Sequence, residues 1–526
     1  MKKTFILLAS AGLLVSLPSC SEWLTATSSS QISDTRLFSS RNGFQEALSG
    51  VYLCMAQSDC YGMEYTWFMN DLAAFPYAAQ HDNTFSSIQN RNFTNSVTFP
   101  IVTRMWQSGY HAIANINKML DELDKRRDVI TDDTEYRLMK GELLGLRAWI
   151  HFDILRMWGL GDWGGDNAGK MTVPYVRNYD KEPSIQRSYA ETAGLLMSDI
   201  DEAIELLEVD PVRGTVDEAF QAAINTNGFW DNRLSHLNWY AVKGLKARVL
   251  IMQDRHAEAV AIAKEVIDEV LAKDIVRWVD PIAQLNTADN DARDWTFSCE
   301  HLFTLEVPDL YSSVQPYFFS SANSSGLRID PSIVASIYEG PVGFSGDISD
   351  GTAATKVVTL AGDIRGSAMM LRFSGAGYIP YKFYASSSSV YRNRMPMFRL
   401  SELYLMLAED ACIRKDLTGF LDAINEIHAH RGIDEAILPD EVLRHGTVVD
   451  GETVIVPDLE DLLVREYAIE LVGEGQFLPF LKRFTHHMGN GAVNVYLTTG
   501  ERFPRPSELM LPYPSAETSY GHIQEL

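Results

Sequence analysis

The stretch LSELYLMLAEDACIRKDLTGFLDAINEIHA, Leu400 to Ala429, carries the clearest periodicity in the chain. Leu400, Leu403, Tyr404, Leu407, Ala408 and Ala411 recur at helical spacing, while Glu402, Glu409 and Asp410 take the other face. Arg414 and Lys415 suit the negative end of the helix dipole. After a break near Asp416 the same period resumes at Leu421, Ile424, Ile427 and His428, so the stretch predicts two antiparallel helices.

Similar units lie upstream. Ala259, Ile262, Ala263, Val266, Ile267 and Val270 predict a helix that follows another at His236 to Ile251, with Asp254 and Arg255 between them. Met139, Leu143, Leu146, Ile150 and Ile154 mark a longer one. Ala241, Gly244 and Ala247 would let a second helix approach closely, as tetratricopeptide-like hairpins require. The predicted fold is mainly α: tetratricopeptide-like helical hairpins forming a superhelical scaffold over about 41–275 and 397–475, with a few short strands. Long loop-rich insertions interrupt it at about 60–100 and 280–396, where aromatic residues, Gly, Ser and Asn replace the helical period. Phe303 to Val307 and Lys356 to Leu360 read as strands within the second.

The first segment is a targeting signal rather than part of the fold. Lys2 and Lys3 precede the apolar run Phe5 to Leu17, which is too short to span a bilayer. Leu17-Pro18-Ser19-Cys20 resembles a bacterial lipobox, so residues 1–19 are expected to be removed and Cys20 lipidated. The alternative is an ordinary cleavage site with Cys20 as a free thiol. Residues 20–40 then form a polar tether, and residues 41–526 a single folded domain.

The formal charge of -25 argues against nucleic acid and against anionic ligands as a class. Cys54, Cys60, Cys299 and Cys412 are too few and too scattered for a disulfide scaffold or a zinc site, and only Cys54 with Cys60 is spaced to bridge. Gly164 to Lys170 matches part of a phosphate loop, but Met171 stands where a hydroxyl must meet magnesium, and the segment reads as a turn. Asp289, Asp291, Asp294 and Glu300 leave a structural calcium ion open, although Asp294 occupies the glycine position of an EF-hand. Adjacent His486 and His487 disfavour joint metal binding. No other cofactor, metal site or catalytic motif is indicated, and with 70 acidic residues no single carboxylate pair is informative.

The stretch GELLGLRAWIHFDILRMWG, Gly141 to Gly159, followed by Val173-Pro174-Tyr175, resembles the SusD/RagB family. Ser198 to Ala203, Lys246 to Leu250, Phe398 to Ala411, Arg465 to Gly475 and Leu511 to Pro514 are similar to further family motifs in the same order. The chain departs from the family at Tyr467 and Phe477, usually arginine, and at Phe480, usually aspartate. Aromatic packing is expected to replace an ion-pair network there.

The resemblance implies a surface-exposed lipoprotein of the Gram-negative outer membrane, acting as the lid of a SusC-like TonB-dependent transporter. It implies capture of oligosaccharides or, as in RagB-type members, peptides, and no enzymatic activity; a hydrolase hidden in the insertions is the remaining alternative. Sugar rings need aromatic platforms beside groups that bond hydroxyls. On those grounds Trp67, Tyr77, His81 and Asn83 in the first insertion, and Trp295, Tyr311, Tyr317 and Asn323 in the second, are the candidate ligand contacts. For any single aromatic the competing expectation is burial under its own loop. Trp149, Trp158 and Trp239 fall in helical patterns and are assigned to the core, and Arg147 to helix packing.

Overall fold

The computed structural model describes residues 34–74, 77–78, 83–180, 182–214, 218–287, 292–319, 326–331, 334, 363–367, 370–374, 377–385, 388–433, 436–439, 444–449, 452–457, 459–484 and 506–520. Its architecture is mainly helical. Helices Arg41–Met55, Phe99–Lys125, Asp133–Trp158, Tyr189–Leu206, Trp239–Met252, His256–Ala272, Leu400–Ile413 and Leu417–Ala429 form a series in which each packs on the next.

Local chemistry sets the helix starts. The Asp132, Asn238 and Asp416 side chains accept the Glu135, Ala241 and Gly419 N–H groups, and Ser188 with Glu191 forms a reciprocal capping box. The first helix of the predicted pair starts at Trp239 rather than His236, because Arg233–Ser235 forms a 3-10 turn before the Asn238 cap. Asp254 and Lys415 reverse the chain between paired helices with positive φ, 61° and 56°.

Small residues admit large ones across the scaffold. Gly145 faces Leu237 and Val242. Gly244, read from sequence as a point of helix approach, instead receives Phe398 of the strand Arg394–Arg399; a Cβ there would lie 2.0 Å from the Phe398 ring. Trp149, Trp158 and Trp239 are buried. Arg147 ties two helices together by a bidentate pair with Asp199 at 2.7 and 2.8 Å. His151 stacks on Tyr175 at 4.0 Å and accepts the Val176 N–H at Nε2, which leaves Nδ1–H for the Arg147 carbonyl. Burial holds that imidazole neutral, pushing it down to about 3.

The insertions carry more regular structure than their composition suggests. The first contains the short helices Met69–Ala74 and Asn83–Gln89, although no helical spacing is visible from Trp67 to Phe99. In the second, His301–Glu306 pairs antiparallel with Arg394–Arg399, and a four-stranded sheet runs Tyr77–Ala78, Arg328–Ile329, Gly377–Pro380, Leu371–Ser374. Lys356 to Leu360 lies outside the described residues. Cys54 and Cys60 are free thiols, the first half-buried and the second buried. Among the described residues no helix is long and apolar enough to cross a membrane.

A buried ionic cluster joins the two halves of this insertion to the scaffold. Arg431 bonds Glu300 at 2.8 Å and Glu470 at 2.6 Å, and Arg399 bonds Glu470 at 2.8 Å and Glu474 at 3.1 Å. Arg365 bonds Glu466 at 2.9 Å and Glu470 at 3.0 Å, and His428 meets Glu466 at 2.7 Å. Burial favours the neutral acid, yet Arg365 and His428 hold Glu466 down to about 2.

Where the sequence departs from the pattern it resembles, Tyr467 stacks on Phe480 with centroids 3.7 Å apart and planes 7° apart. The Tyr467 hydroxyl donates to Glu409, which also pairs with Arg483 at 2.6 Å. Stacked rings therefore take over the packing, and Arg483 supplies a cation from another position.

Two stability predictions follow from burial. Glu470→Gln removes a buried carboxylate shared by Arg365, Arg399 and Arg431, so a denaturant titration should show a loss of about 3–5 kcal/mol. Glu64 is buried, its Oε2 lacks a hydrogen-bond partner, and burial pushes its carboxyl up to about 8 despite the nearby Arg104. Between about 4.5 and about 8 the unfolded chain has released a proton that the folded chain retains, so this group makes stability fall as pH rises through that window. Melting curves of Glu64→Gln should lack that decline and show their largest gain over the parent above pH 8.

Candidate ligand-binding surface

The second insertion builds an aromatic platform. Tyr381 and Tyr384 follow the strand Gly377–Pro380, and the Tyr384 N–H donates to the Tyr381 carbonyl at 2.8 Å. That turn sends Lys382 and Phe383 inward, where both are buried, and leaves the two tyrosine rings half-buried on one side. Their centroids lie 5.1 Å apart at 27°. Phe319, which ends the helix Leu310–Phe318, meets them at 5.0 and 5.6 Å, and Tyr311 from the first turn of that helix meets Tyr384 at 5.6 Å.

Cations and buried anchors frame the rings. Arg372 stands opposite Ile379 in the Leu371–Ser374 hairpin, with its guanidinium 4.1 Å from the Tyr381 centroid. Beneath the platform the Lys382 ammonium donates to the Glu470 carbonyl at 3.1 Å and pairs with the Glu474 carboxylate, attaching the Tyr381–Tyr384 turn to the ionic cluster. Asp71 accepts the Gly473 N–H and, at 3.1 Å, the Gly475 N–H, two glycines with positive φ. Burial pushes that carboxyl up to about 7 although the two N–H donors oppose it.

The candidate contacts divide between platform and core. Tyr311 is half-buried on the platform, and Trp295 lies directly beneath it, only 2% exposed, 5.8 Å from Tyr381 and 5.9 Å from Tyr384. Trp67 is fully buried, with its indole N–H on the Gly62 carbonyl at 3.1 Å, so it supports the site without reaching solvent. Tyr77 is also buried, paired across the sheet with Ile329 and 5.8 Å from Phe318. Tyr317 turns toward Trp67, Phe68 and Phe85 at 5.0–6.0 Å, away from the platform side of its helix. Asn83 is exposed at the start of its helix, and His81 and Asn323 lie outside the described residues.

Sequence reading missed Phe319, Tyr381, Tyr384 and Arg372. The one signal was the Tyr381-Lys382-Phe383-Tyr384 run, whose spacing shows rings on one side only once the turn is known.

Two of the four groups considered for calcium are engaged elsewhere. Glu300 is committed to Arg431 and Arg399, and Asp294 accepts the Ser298 N–H and hydroxyl at 2.6 and 2.8 Å. Asp289, Asp291, His486 and His487 lie outside the described residues, as does Cys20. Among the described residues no group of three or more His, Cys, Asp and Glu is arranged to hold a metal ion. Gly165–Asn167 is a 3-10 turn, and the Lys170 ammonium bonds the Asn167 side chain at 2.7 Å.

Fold and surface define a class: helical-hairpin proteins whose long insertions assemble a surface of stacked rings and guanidinium groups. Two family models match. "Starch-binding associating with outer membrane" covers residues 22–225, and "SusD family" covers residues 367–517. The chain belongs to the SusD/RagB family.

Solved structures share its fold at low identity. A SusD superfamily protein from Bacteroides thetaiotaomicron is 14% identical with a TM-score of 0.64, covering 92% of this chain and 97% of its own. A SusD-like carbohydrate binding protein from Bacteroides vulgatus is 15% identical at TM-score 0.59, covering 84% and 83%. Surface glycan-binding protein A from Bacteroides thetaiotaomicron, in complex with laminarihexaose, is 16% identical at TM-score 0.58, covering 92% and 99%. No curated protein matches the chain.

Proposed function

We propose that this protein is a glycan-binding lipoprotein of the outer-membrane surface that captures oligosaccharides without transforming them. The observation that carries this reading is the half-exposed platform of Tyr311, Phe319, Tyr381 and Tyr384 with Arg372 over one ring. Apolar sugar faces stack on such rings, and a guanidinium beside them bonds hydroxyls. Family membership, and a fold shared with a glycan-binding protein seen with laminarihexaose, support the same ligand class.

In this reading Cys20 carries the lipid, residues 20–40 are the tether, and the domain is the lid of a SusC-like TonB-dependent transporter. A tethered lid hands ligand on at high local concentration, so modest affinity is enough.

Isothermal titration of the purified protein against oligosaccharides and peptides, with chromatography for products, tests this. Saturable binding to a glycan without turnover is expected. Tyr381→Ala should weaken that binding roughly tenfold, equivalent to about 1.4 kcal/mol, while leaving the far-UV circular dichroism unchanged. Products would contradict the non-enzymatic role, and binding to peptides alone would contradict the glycan assignment.

A further inference from the structure

The charge around the platform differs from that of the chain. The sequence has 45 Lys and Arg against 70 Asp and Glu, and most buried guanidinium groups elsewhere meet a carboxylate, as Arg147, Arg233, Arg248 and Arg431 do. On one rim of the platform the same holds, since Arg392 and Arg394 face Glu306 and Arg394 faces Asp294.

On the other rim it does not. Arg372 is half-exposed, and its contact is the Tyr381 ring. Arg328 is buried near Tyr381 and donates to the Phe318 and Leu327 carbonyls at 2.9 and 2.8 Å. Among the described residues neither pairs with a carboxylate. Arg293 is buried beside Trp295, 4.9 Å from its ring, donates to the Gln284 carbonyl at 3.2 Å, and is close enough to Arg372 for the two cations to repel. Two guanidinium groups that lack a carboxylate partner among the described residues, Arg372 and Arg328, therefore converge on Tyr381. A low-dielectric wall strengthens their field at the surface.

Resting on the glycan reading of this platform, we propose that the preferred ligand is an acidic glycan, whose carboxylate or sulfate groups meet Arg372 while its ring faces lie on Tyr381 and Tyr384. Neutral hydroxyls satisfy a guanidinium's hydrogen bonds but leave its charge uncompensated, whereas an anionic group does both. Arg328 is too buried for direct contact and acts through its field. The chain's net charge of -25 points the other way. The local balance governs the site because the remote carboxylates are screened beyond about 8–10 Å.

The test is titration of the purified protein with hexagalacturonate, a heparin-derived hexasaccharide, laminarihexaose and maltohexaose. One of the anionic hexamers should bind at least about tenfold more tightly than either neutral one, and raising salt from about 50 to about 500 mM should weaken it severalfold. Arg372→Gln should remove most of that preference, and Arg372→Lys should retain the salt dependence, with both variants melting near the parent temperature. Equal or tighter binding of a neutral hexamer would overturn the acidic assignment and leave the glycan reading standing. Absence of binding to all four would overturn both. The winning anionic hexamer also assigns carboxylate or sulfate.

Discussion

The position of the candidate binding surface depends on the buried cluster of Glu300, Arg399, Arg431, Glu470 and Glu474. Its members come from far apart in sequence: the start of strand His301–Glu306, the end of strand Arg394–Arg399, the turn after helix Leu417–Ala429, and the end of helix Leu459–Glu470. Desolvating so many charges offsets much of their mutual attraction, so the cluster is a weak source of net stability. Its effect is positional. Arg431 meets two carboxylates and Arg399 three in fixed planes, and this leaves few ways for the insertion to sit on the scaffold.

Lys382 carries that constraint to the surface. Its ammonium reaches Glu470 and Glu474 from a residue lying between Tyr381 and Tyr384, so the platform rings are held from below by the same acids that join the helices. Asp71 adds a second attachment at Gly473 and Gly475, bringing the first insertion to the same place. Trp295 then fills the space beneath the rings, while Trp67 packs on Tyr317. Support of this kind restricts the positions open to the rings, and preorganisation lowers the ordering cost of any binding there.

Much of the scaffold was legible because helical periodicity is local: Leu400 to Ala429 and Ala259 to Val270 were readable from neighbours three and four residues apart. Roles set by long-range contact were not. Glu300, which the sequence left open as one of four oxygen ligands, pairs with Arg431 more than a hundred residues away. Gly244 faces a strand rather than a helix for the same reason. Among the aromatics, Tyr311 lies on the platform and Trp295 beneath it, but composition does not separate a half-exposed ring from a buried one, as Trp67 and Tyr77 show. Arg372 reaches Tyr381 only through hairpin register.

The central claim is that ligand is held on the Tyr311, Phe319, Tyr381 and Tyr384 platform. Hydrogen–deuterium exchange with and without a saturating oligosaccharide tests it most directly. The account predicts new protection in peptides covering 311–319 and 370–384, with little change in the open cleft around Pro211 to Ser235. Protection confined to that cleft, with the platform peptides unchanged, would contradict it.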